Sequence, residues 1–226
     1  MLGNRNKRRT KDGTPIRYAI IDESGHPYYD VDDVGPFAMG AVVTDDPESL
    51  AEIALSQYSN TSKRRKYWVE PGKGELKRSR SNDFVSQDVL NRLKEGDYVM
   101  LVVDQPILSE ADNPIESGSA VYAGTLSRLL IRLAELGPEG IYRIRLDSND
   151  YVDRDLLELL AKSAFDKNSP RVLAKRNPAD MIESDLGPAI QPVDIMVGQY
   201  RRSLMEGDEG FTKRNRIIKA GNRKKR

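Results

Sequence analysis

A chain of 226 residues with 38% hydrophobic and 31% charged residues is long enough for one generous α/β domain or two small ones, with a single core. No apolar stretch is long enough to cross a bilayer and none follows the basic N-terminus, so we expect neither membrane contact nor a secretory signal. The absence of cysteine excludes disulfides, zinc–thiolate sites and thiol catalysis, and we expect a cytoplasmic protein.

The net charge of +1 hides a strong separation of charge along the chain. Residues 1–14 carry a net +4 and residues 212–226 a net +8, which leaves residues 15–211 at −11. We therefore predict one acidic domain over 15–211 between two basic, disordered tails. Such tails suit binding of polyanions, while the acidic body suits binding of cations. Solvated ends without any role are an equally good interpretation of the tails.

Hydrophobic periodicity predicts strands that alternate with helices after an initial hairpin. The predicted strands are 16–23, 37–43, 98–103, 141–146 and a short one at 171–174. The predicted helices are 48–57, 82–94, 119–136, 152–165 and 192–205. Residues 59–81 are predicted as an inserted loop and 104–116 as a second loop. This order favours an α/β domain, a mixed sheet with helices on its faces.

Three aspartates occupy positions from which their side chains can converge. Asp22 and Asp147 each follow an apolar strand, and Asp194 lies among apolar residues at the start of the last predicted helix. Strand ends direct side chains into a crevice of an α/β sheet, and carboxylate oxygens are the ligands that Mg²⁺ and Mn²⁺ prefer. Two such ions about 4 Å apart can support phosphodiester cleavage. His26, the only histidine, excludes a multi-histidine zinc site.

Each aspartate also has an ordinary structural interpretation. Asp22 can be a turn former, Asp147 can cap the helix that follows it, and Asp194 can be a partner of the helix dipole. Taken singly, none of the three predicts a function.

Three segments resemble markers of the prokaryotic domain of unknown function 3800 family, whose hallmark is an Asp-Glu-Ser-Gly strand end. Residues 18–25, which read YAIIDESG, resemble the opening strand of that family. Residues 75–77, Glu-Leu-Lys, are similar to its short Glu/Lys segment between the second and third strands. Residues 190–194, Ile-Gln-Pro-Val-Asp, are similar to the start of its closing helix. The markers occur in the expected order, and the resemblance spans about residues 16–205.

The resemblance implies an RNase H-like fold with Asp22 on the first strand, Asp147 on the fourth and Asp194 on the last helix. In RNase H-like nucleases these three places meet around the metals, here Mg²⁺ or Mn²⁺. Glu23 and Glu75 are further candidate metal ligands. The resemblance also makes Lys77 a candidate for orienting a phosphate or the attacking water, although it is equally a solvated lysine of a basic loop.

The insertion at 59–81 has the composition of a nucleic-acid-binding segment. Cations that meet phosphates are interleaved there with aromatic rings that stack on exposed bases. The candidate contacts are Lys63, Arg64, Arg65, Lys66, Trp68, Lys73, Arg78 and Arg80. A solvated loop whose tryptophan packs on the domain is the alternative.

These observations favour a metal-dependent nuclease that cleaves DNA or RNA, with Asp22, Asp147, Asp194 and Lys77 at the catalytic site. Two alternatives from other classes stay open. One is a non-catalytic nucleic-acid-binding module whose acids only stabilise turns. The other is a protein-interaction domain whose basic tails contact acidic partners.

Overall fold

The computed structural model describes residues 11, 13–28, 35–63, 83–95, 99–105, 114–136, 140–146, 151–165, 189–214 and 217–219. The strands are β1 (Ile16–Ser24), β2 (Phe37–Thr44), β3 (Val99–Gln105), β4 (Ile141–Leu146) and β5 (Ile217–Lys219). The helices are α1 (Pro47–Lys63), α2 (Asp83–Glu95), α3 (Pro114–Leu136), α4 (Arg154–Phe165), α5 (Gln191–Met205) and α6 (Phe211–Arg214). None of the described helices combines the length and apolar character that a bilayer crossing requires.

The described strands form one mixed sheet in the order β4-β1-β2-β3-β5. β1 pairs with β2 in antiparallel orientation, and β2 pairs with β3 in the same way. β4 lies parallel to β1, and β5 lies parallel to β3. The predictions of an initial hairpin and of a mixed α/β sheet flanked by helices are therefore confirmed.

β1 is an apolar strand whose alternate side chains enter two separate cores. Tyr18 and Ile20 belong to the core formed with α1, α2 and α5, whereas Ala19 and Ile21 belong to the core formed with α3 and α4. This two-sided burial follows from the alternation of side chains along a strand, because helices cover both faces of the sheet. We name the two sides the α5 face and the α3/α4 face.

Local sequence signals explain where several helices begin. The Asp46 side chain accepts a hydrogen bond from the Ser49 backbone N–H at 3.1 Å, one residue before α1 begins. Asp153 does the same for the Leu156 N–H at 2.8 Å, directly before α4. Both are N-caps, which satisfy backbone donors that the helix itself leaves without acceptors. In α5 a proline occupies the first turn, where its missing N–H costs no helical hydrogen bond.

The structure corrects the boundaries of both predicted loops. α1 continues to Lys63, so the first residues of the predicted insertion 59–81 are helical. β3 extends to Gln105 and α3 begins at Pro114, which together shorten the predicted loop 104–116. A proline at the start of a helix is tolerated for the reason given for α5. The predicted strand at 171–174 and residues 1–10 of the N-terminal tail lie outside the described residues.

The C-terminal boundary at residue 212 differs most from the prediction. Residues assigned by their charge to a disordered tail instead form most of α6 and all of β5, and Ile217 is buried at the edge of the sheet. Asp208 and Arg214 form an ion pair across the turn before α6. The hydrogen bond from Arg214 lowers the pKa of the Asp208 carboxyl. The two isoleucines at 217–218 indicate a strand, but the basic residues around them led to the prediction of a tail.

Candidate functional site

Asp22 lies near the end of β1, beside the end of the neighbouring parallel strand. Ile21 is the Cα partner of Leu146, the last residue of β4, and Asp22 itself is paired with Gly40 of β2 on the other side. The Asp22 side chain is half-buried, and its Oδ1 accepts a hydrogen bond from the Glu23 N–H at 2.8 Å. A carboxylate is thus held at the sheet end by a strand that is fixed from both sides.

Asp194 lies in the first turn of α5, the helix that packs on β1 and β2. Its neighbours Val193 and Ile195 are fully buried, while Asp194 is half-buried. Since Asp22 shares its side of β1 with Tyr18 and Ile20, it faces the layer to which α5 belongs. The structure therefore brings Asp22 and Asp194 to the same face of the sheet.

Glu23 faces the opposite layer and is hydrogen-bonded there. Its Oε2 accepts a hydrogen bond of 2.9 Å from the hydroxyl of Tyr122, a fully buried residue of α3. The Tyr122 ring stacks on Tyr151 with centroids 5.2 Å apart and contacts Phe37 at 5.6 Å. Consecutive residues of a strand point to opposite faces, so the side chains of Asp22 and Glu23 leave β1 on opposite sides of the sheet. The role of Glu23 as a metal ligand stays a prediction, and its hydrogen bond to Tyr122 argues against it.

The glycine of the DESG segment is required by its backbone and by its neighbour. Gly25 adopts φ +88°, a conformation that side-chain-bearing residues rarely adopt. A Cβ at this position would lie 2.5 Å from Nε of Arg201 and 3.1 Å from the carbonyl oxygen of Pro36. Arg201 donates a hydrogen bond to that same carbonyl oxygen at 2.8 Å. One side chain of α5 thus contacts the backbone at the end of β1 and at the start of β2.

Two arginines on the α5 face were not identified from the sequence as site residues. Arg143 and Arg145 of β4 are the Cα partners of Tyr18 and Ile20. Their guanidinium carbons lie 5.8 Å and 5.1 Å from the centroid of the Tyr18 ring. The signal was present in the segment IYRIRL, where arginines alternate with apolar residues and therefore share one face of the strand.

The α3/α4 side of the same strand is apolar and closed. Tyr142 is almost completely buried there and packs on Phe165 with ring centroids 5.5 Å apart. Burial raises the pKa of the Tyr142 hydroxyl, and the positive charge of Arg17 offsets part of that effect. Both charged residues of β4 thus lie on the α5 face, and its buried residues Tyr142 and Leu146 lie on the other.

The remaining predicted site residues lie outside the part of the chain that the structure describes. They are Asp147, Glu75, Lys77, Arg64, Arg65, Lys66, Trp68, Lys73, Arg78 and Arg80. Lys63 is the last residue of α1. Within the described ranges, no group of three or more histidine or acidic side chains is arranged to hold a metal ion. Of the five predicted metal ligands, those ranges include Asp22, Glu23 and Asp194 only.

Comparison with known proteins adds no family assignment to this geometry. No family model matches the chain, and no curated protein is similar to it in sequence. The resemblance of the DESG strand and its accompanying segments to a known family accordingly stays a hypothesis.

Proposed function

We propose that this protein is a divalent-metal-dependent nuclease that hydrolyses phosphodiester bonds of DNA or RNA. Asp22, Asp147 and Asp194 are the proposed metal ligands. The observation that carries the proposal is the pairing of Ile21 with Leu146. These are the residues directly before Asp22 and Asp147 in the sequence, so β4 ends beside the residue that precedes Asp22. Asp147 itself lies outside the described residues, and its place in the site is part of the proposal.

The position of α5 supports Asp194 as the third ligand. Arg201 of α5 contacts Gly25 just beyond β1, and the buried first turn of α5 lies over the sheet. Asp194 precedes Arg201 by seven residues, about 10 Å of helix, while Asp22 precedes Gly25 by three residues, about 10 Å of strand. These equal spans are what two neighbouring carboxylates would require if α5 and β1 run side by side from the contact between Arg201 and Gly25.

Carboxylates from separate elements fit a hard divalent cation. Mutual repulsion disfavours several ionised carboxylates in one place, and a cation between them relieves it. When bound, Mg²⁺ or Mn²⁺ would supply an activated water and neutralise charge on the cleaved phosphate. The aspartates would hold the ions at a rigid strand end and orient the scissile bond relative to them. Glu23, hydrogen-bonded on the other face, has no part in this set.

We also propose that the fold is RNase H-like. The first strand carries Asp22, the fourth strand ends directly before Asp147, and α5 carries Asp194 in its first turn. These are the placements that the family resemblance implies. They support the fold and the active site together, because the fold is what would bring the three acids to one face.

A cleavage assay with a matched pair of helix variants tests the proposal. The full-length chain, stripped of metal and then supplied with Mg²⁺ or Mn²⁺, should cut labelled DNA or RNA. Asp194→Asn should abolish cleavage. Asp155→Asn should not, because Asp155 is likewise a first-turn acid, yet it is exposed on α4 in the other layer. Both changes remove the same helix-dipole interaction, so a difference between them isolates the metal site.

Two results would contradict the nuclease proposal. One is a wild-type chain that cleaves neither DNA nor RNA with either metal. The other is Asp194→Asn cleaving at the wild-type rate. Mn²⁺ binding, measured by electron paramagnetic resonance on the same samples, should weaken in Asp194→Asn and stay unchanged in Asp155→Asn.

A further inference from the structure

The arginine pair, Arg143 and Arg145, lies on the same face of the sheet as Asp22. Side chains alternate along β4. Tyr142 and Leu146 are therefore buried in the α3/α4 core, and both arginines lie on the α5 face. Arg143 is exposed and Arg145 is half-buried. The pair therefore faces solvent at the outer strand of the described sheet.

The Tyr18 ring orders both guanidinium groups. The ring is fully buried, and both arginine side chains lie over it at the distances typical of cation–π contacts. A guanidinium that stacks on a ring is held in position while its N–H edges stay available for bidentate contact with phosphate. The two guanidinium groups over one ring are thus preorganised to bind a planar or tetrahedral anion.

Two positive charges on one ring also repel each other, which an anion between them would relieve. Among the residues that the structure describes, neither Arg143 nor Arg145 forms an ion pair with a carboxylate, in contrast to Arg132 and Arg154, which pair with acids of their own helices. The charge of the arginine pair is therefore not neutralised by the described part of the fold.

We infer that the arginine pair binds a backbone phosphate of the nucleic-acid strand, next to the phosphate that is cleaved. The inference rests on the proposed function for the identity of the ligand. Ile20, the partner of Arg145, precedes Asp22 by two residues, about 7 Å of strand. The rise along a duplex axis is about 3.4 Å per phosphate of one strand, but successive phosphates also wind around the axis, so a span of this length matches the separation of neighbouring phosphates. The pair would thus hold the substrate on one side of the aspartates and set its register.

The alternative role for the arginine pair is to prevent association between sheet edges, and it predicts a different outcome of substitution. Charged side chains on an outer strand discourage edge-to-edge association of sheets. If this were their only role, replacing them would promote aggregation and leave nucleic-acid affinity unchanged. The two roles are therefore separable by a binding measurement on soluble protein.

The test measures binding of 20-nucleotide single-stranded DNA and RNA by fluorescence anisotropy, with the full chain in EDTA to prevent turnover. The double variant Arg143→Gln/Arg145→Gln should bind at least about 10-fold more weakly. The slope of log K against log salt concentration should become shallower by about 0.7 for each phosphate that the variant no longer neutralises. A shallower slope reports fewer neutralised phosphates, and a purely structural role of the arginines would leave that number unchanged.

The matched control is Arg132→Gln/Arg154→Gln, which removes the same charge from α3 and α4. We expect its affinity to stay within about twofold of wild type and its salt slope to be unchanged, because these arginines belong to local ion pairs. If the double variant on β4 does not fold, Arg143→Gln alone serves the same purpose, since that side chain is exposed.

The outcomes separate this inference from the proposed nuclease. Equal effects of the two double variants, aggregation without weaker binding, or a wild-type chain that binds neither DNA nor RNA would each overturn the role of the arginine pair. A chain that shows the selective decrease in affinity on β4 yet cleaves no substrate with any metal would support the pair and refute the nuclease. Comparison of the DNA and RNA affinities identifies the sugar that the site prefers.

Discussion

Two neighbouring carboxylates of β1, Asp22 and Glu23, lie on opposite faces of the sheet and have different surroundings. Glu23, on the α3/α4 face, accepts a hydrogen bond from buried Tyr122 within an aromatic cluster. Asp22, one residue earlier, shares the α5 face with Asp194 and with the arginine pair. Strand alternation alone therefore separates a structural acid from a candidate functional acid. In an Asp-Glu pair at a strand end, chemical similarity does not indicate a similar role.

The largest expected effect is the loss of cleavage in Asp22→Asn, which is compared with Glu23→Gln at the adjacent acid. Asp22→Asn should lower metal-dependent cleavage on the order of 10³-fold, about 4 kcal/mol in the barrier, because a metal ligand is removed. Glu23→Gln should leave cleavage within a few-fold of wild type, since its carboxylate faces the other layer. Initial rates at saturating Mg²⁺ measure both. Equal decreases in the two variants would remove the distinction between the faces.

The effect of Asp22→Asn on stability should be opposite to its effect on cleavage. Without metal, Asp22→Asn removes one of several like charges, so its melting temperature in EDTA should equal or exceed that of wild type. A clear decrease would show that Asp22 is a structural residue.

Next in size is the effect of adding a methyl group at Gly25. Gly25→Ala should destabilise the fold by about 2–4 kcal/mol, because the change combines a strained φ with displacement of Arg201 from the Pro36 carbonyl. Gly207 is the matched control. It has φ +70°, and nothing lies within 4 Å of an added Cβ. Gly207→Ala should therefore cost only about 1–2 kcal/mol. Urea unfolding of both variants gives the difference, and identical values would exclude the Arg201 contact as its cause.

A smaller effect is expected from the hydroxyl that holds Glu23. Tyr122→Phe removes a hydrogen bond to a carboxylate and should destabilise the protein by about 1–2 kcal/mol, with no change in cleavage. Chemical denaturation and the cleavage assay on one preparation measure both. Loss of cleavage at unchanged stability would move the functional centre to the α3/α4 face.

The smallest effect concerns the buried hydroxyl of Tyr142 at alkaline pH. Because burial raises its pKa in the folded state, the hydroxyl stays protonated after the unfolded chain begins to ionise at about pH 10. The folding free energy from this group is present below pH 10 and is lost as the pH rises above it. Wild type should therefore lose stability above about pH 10 more steeply than Tyr142→Phe. Parallel slopes would show that Tyr142 ionises as readily in the folded chain as in the unfolded one.

Apolar periodicity predicted most of the fold, because both cores of this sheet are built from alternating strand residues and helical stripes. Every described strand except β5 was predicted to within about two residues, as was the hairpin. The predicted boundaries were wrong where polar and charged composition was given more weight than apolar periodicity. Residues 217–219 were assigned to a tail because basic residues surround them, and the last turns of α1 were assigned to a loop because they are polar.

The candidate site was only partly predictable for a different reason. A sequence identifies which acids follow strands, but the face that each acid occupies depends on register, and register separated Asp22 from Glu23. Arg201 was missed because its function is a contact with backbone atoms 165 residues away. No local pattern encodes such a contact. The arginine pair was visible as alternation, and its relation to Tyr18 emerged only from the pairing of β1 with β4.

The late position of α5 in the chain has a consequence for synthesis on the ribosome. β1 and β2 are complete by residue 44, yet the helix that covers part of their α5 face ends only at residue 205. At about 5–20 residues per second, translation of the intervening chain takes roughly 10–30 seconds. During that interval the apolar surface reserved for α5 has no cover from its own chain. We therefore expect nascent chains of this protein to be more prone to aggregation until α5 has been synthesised.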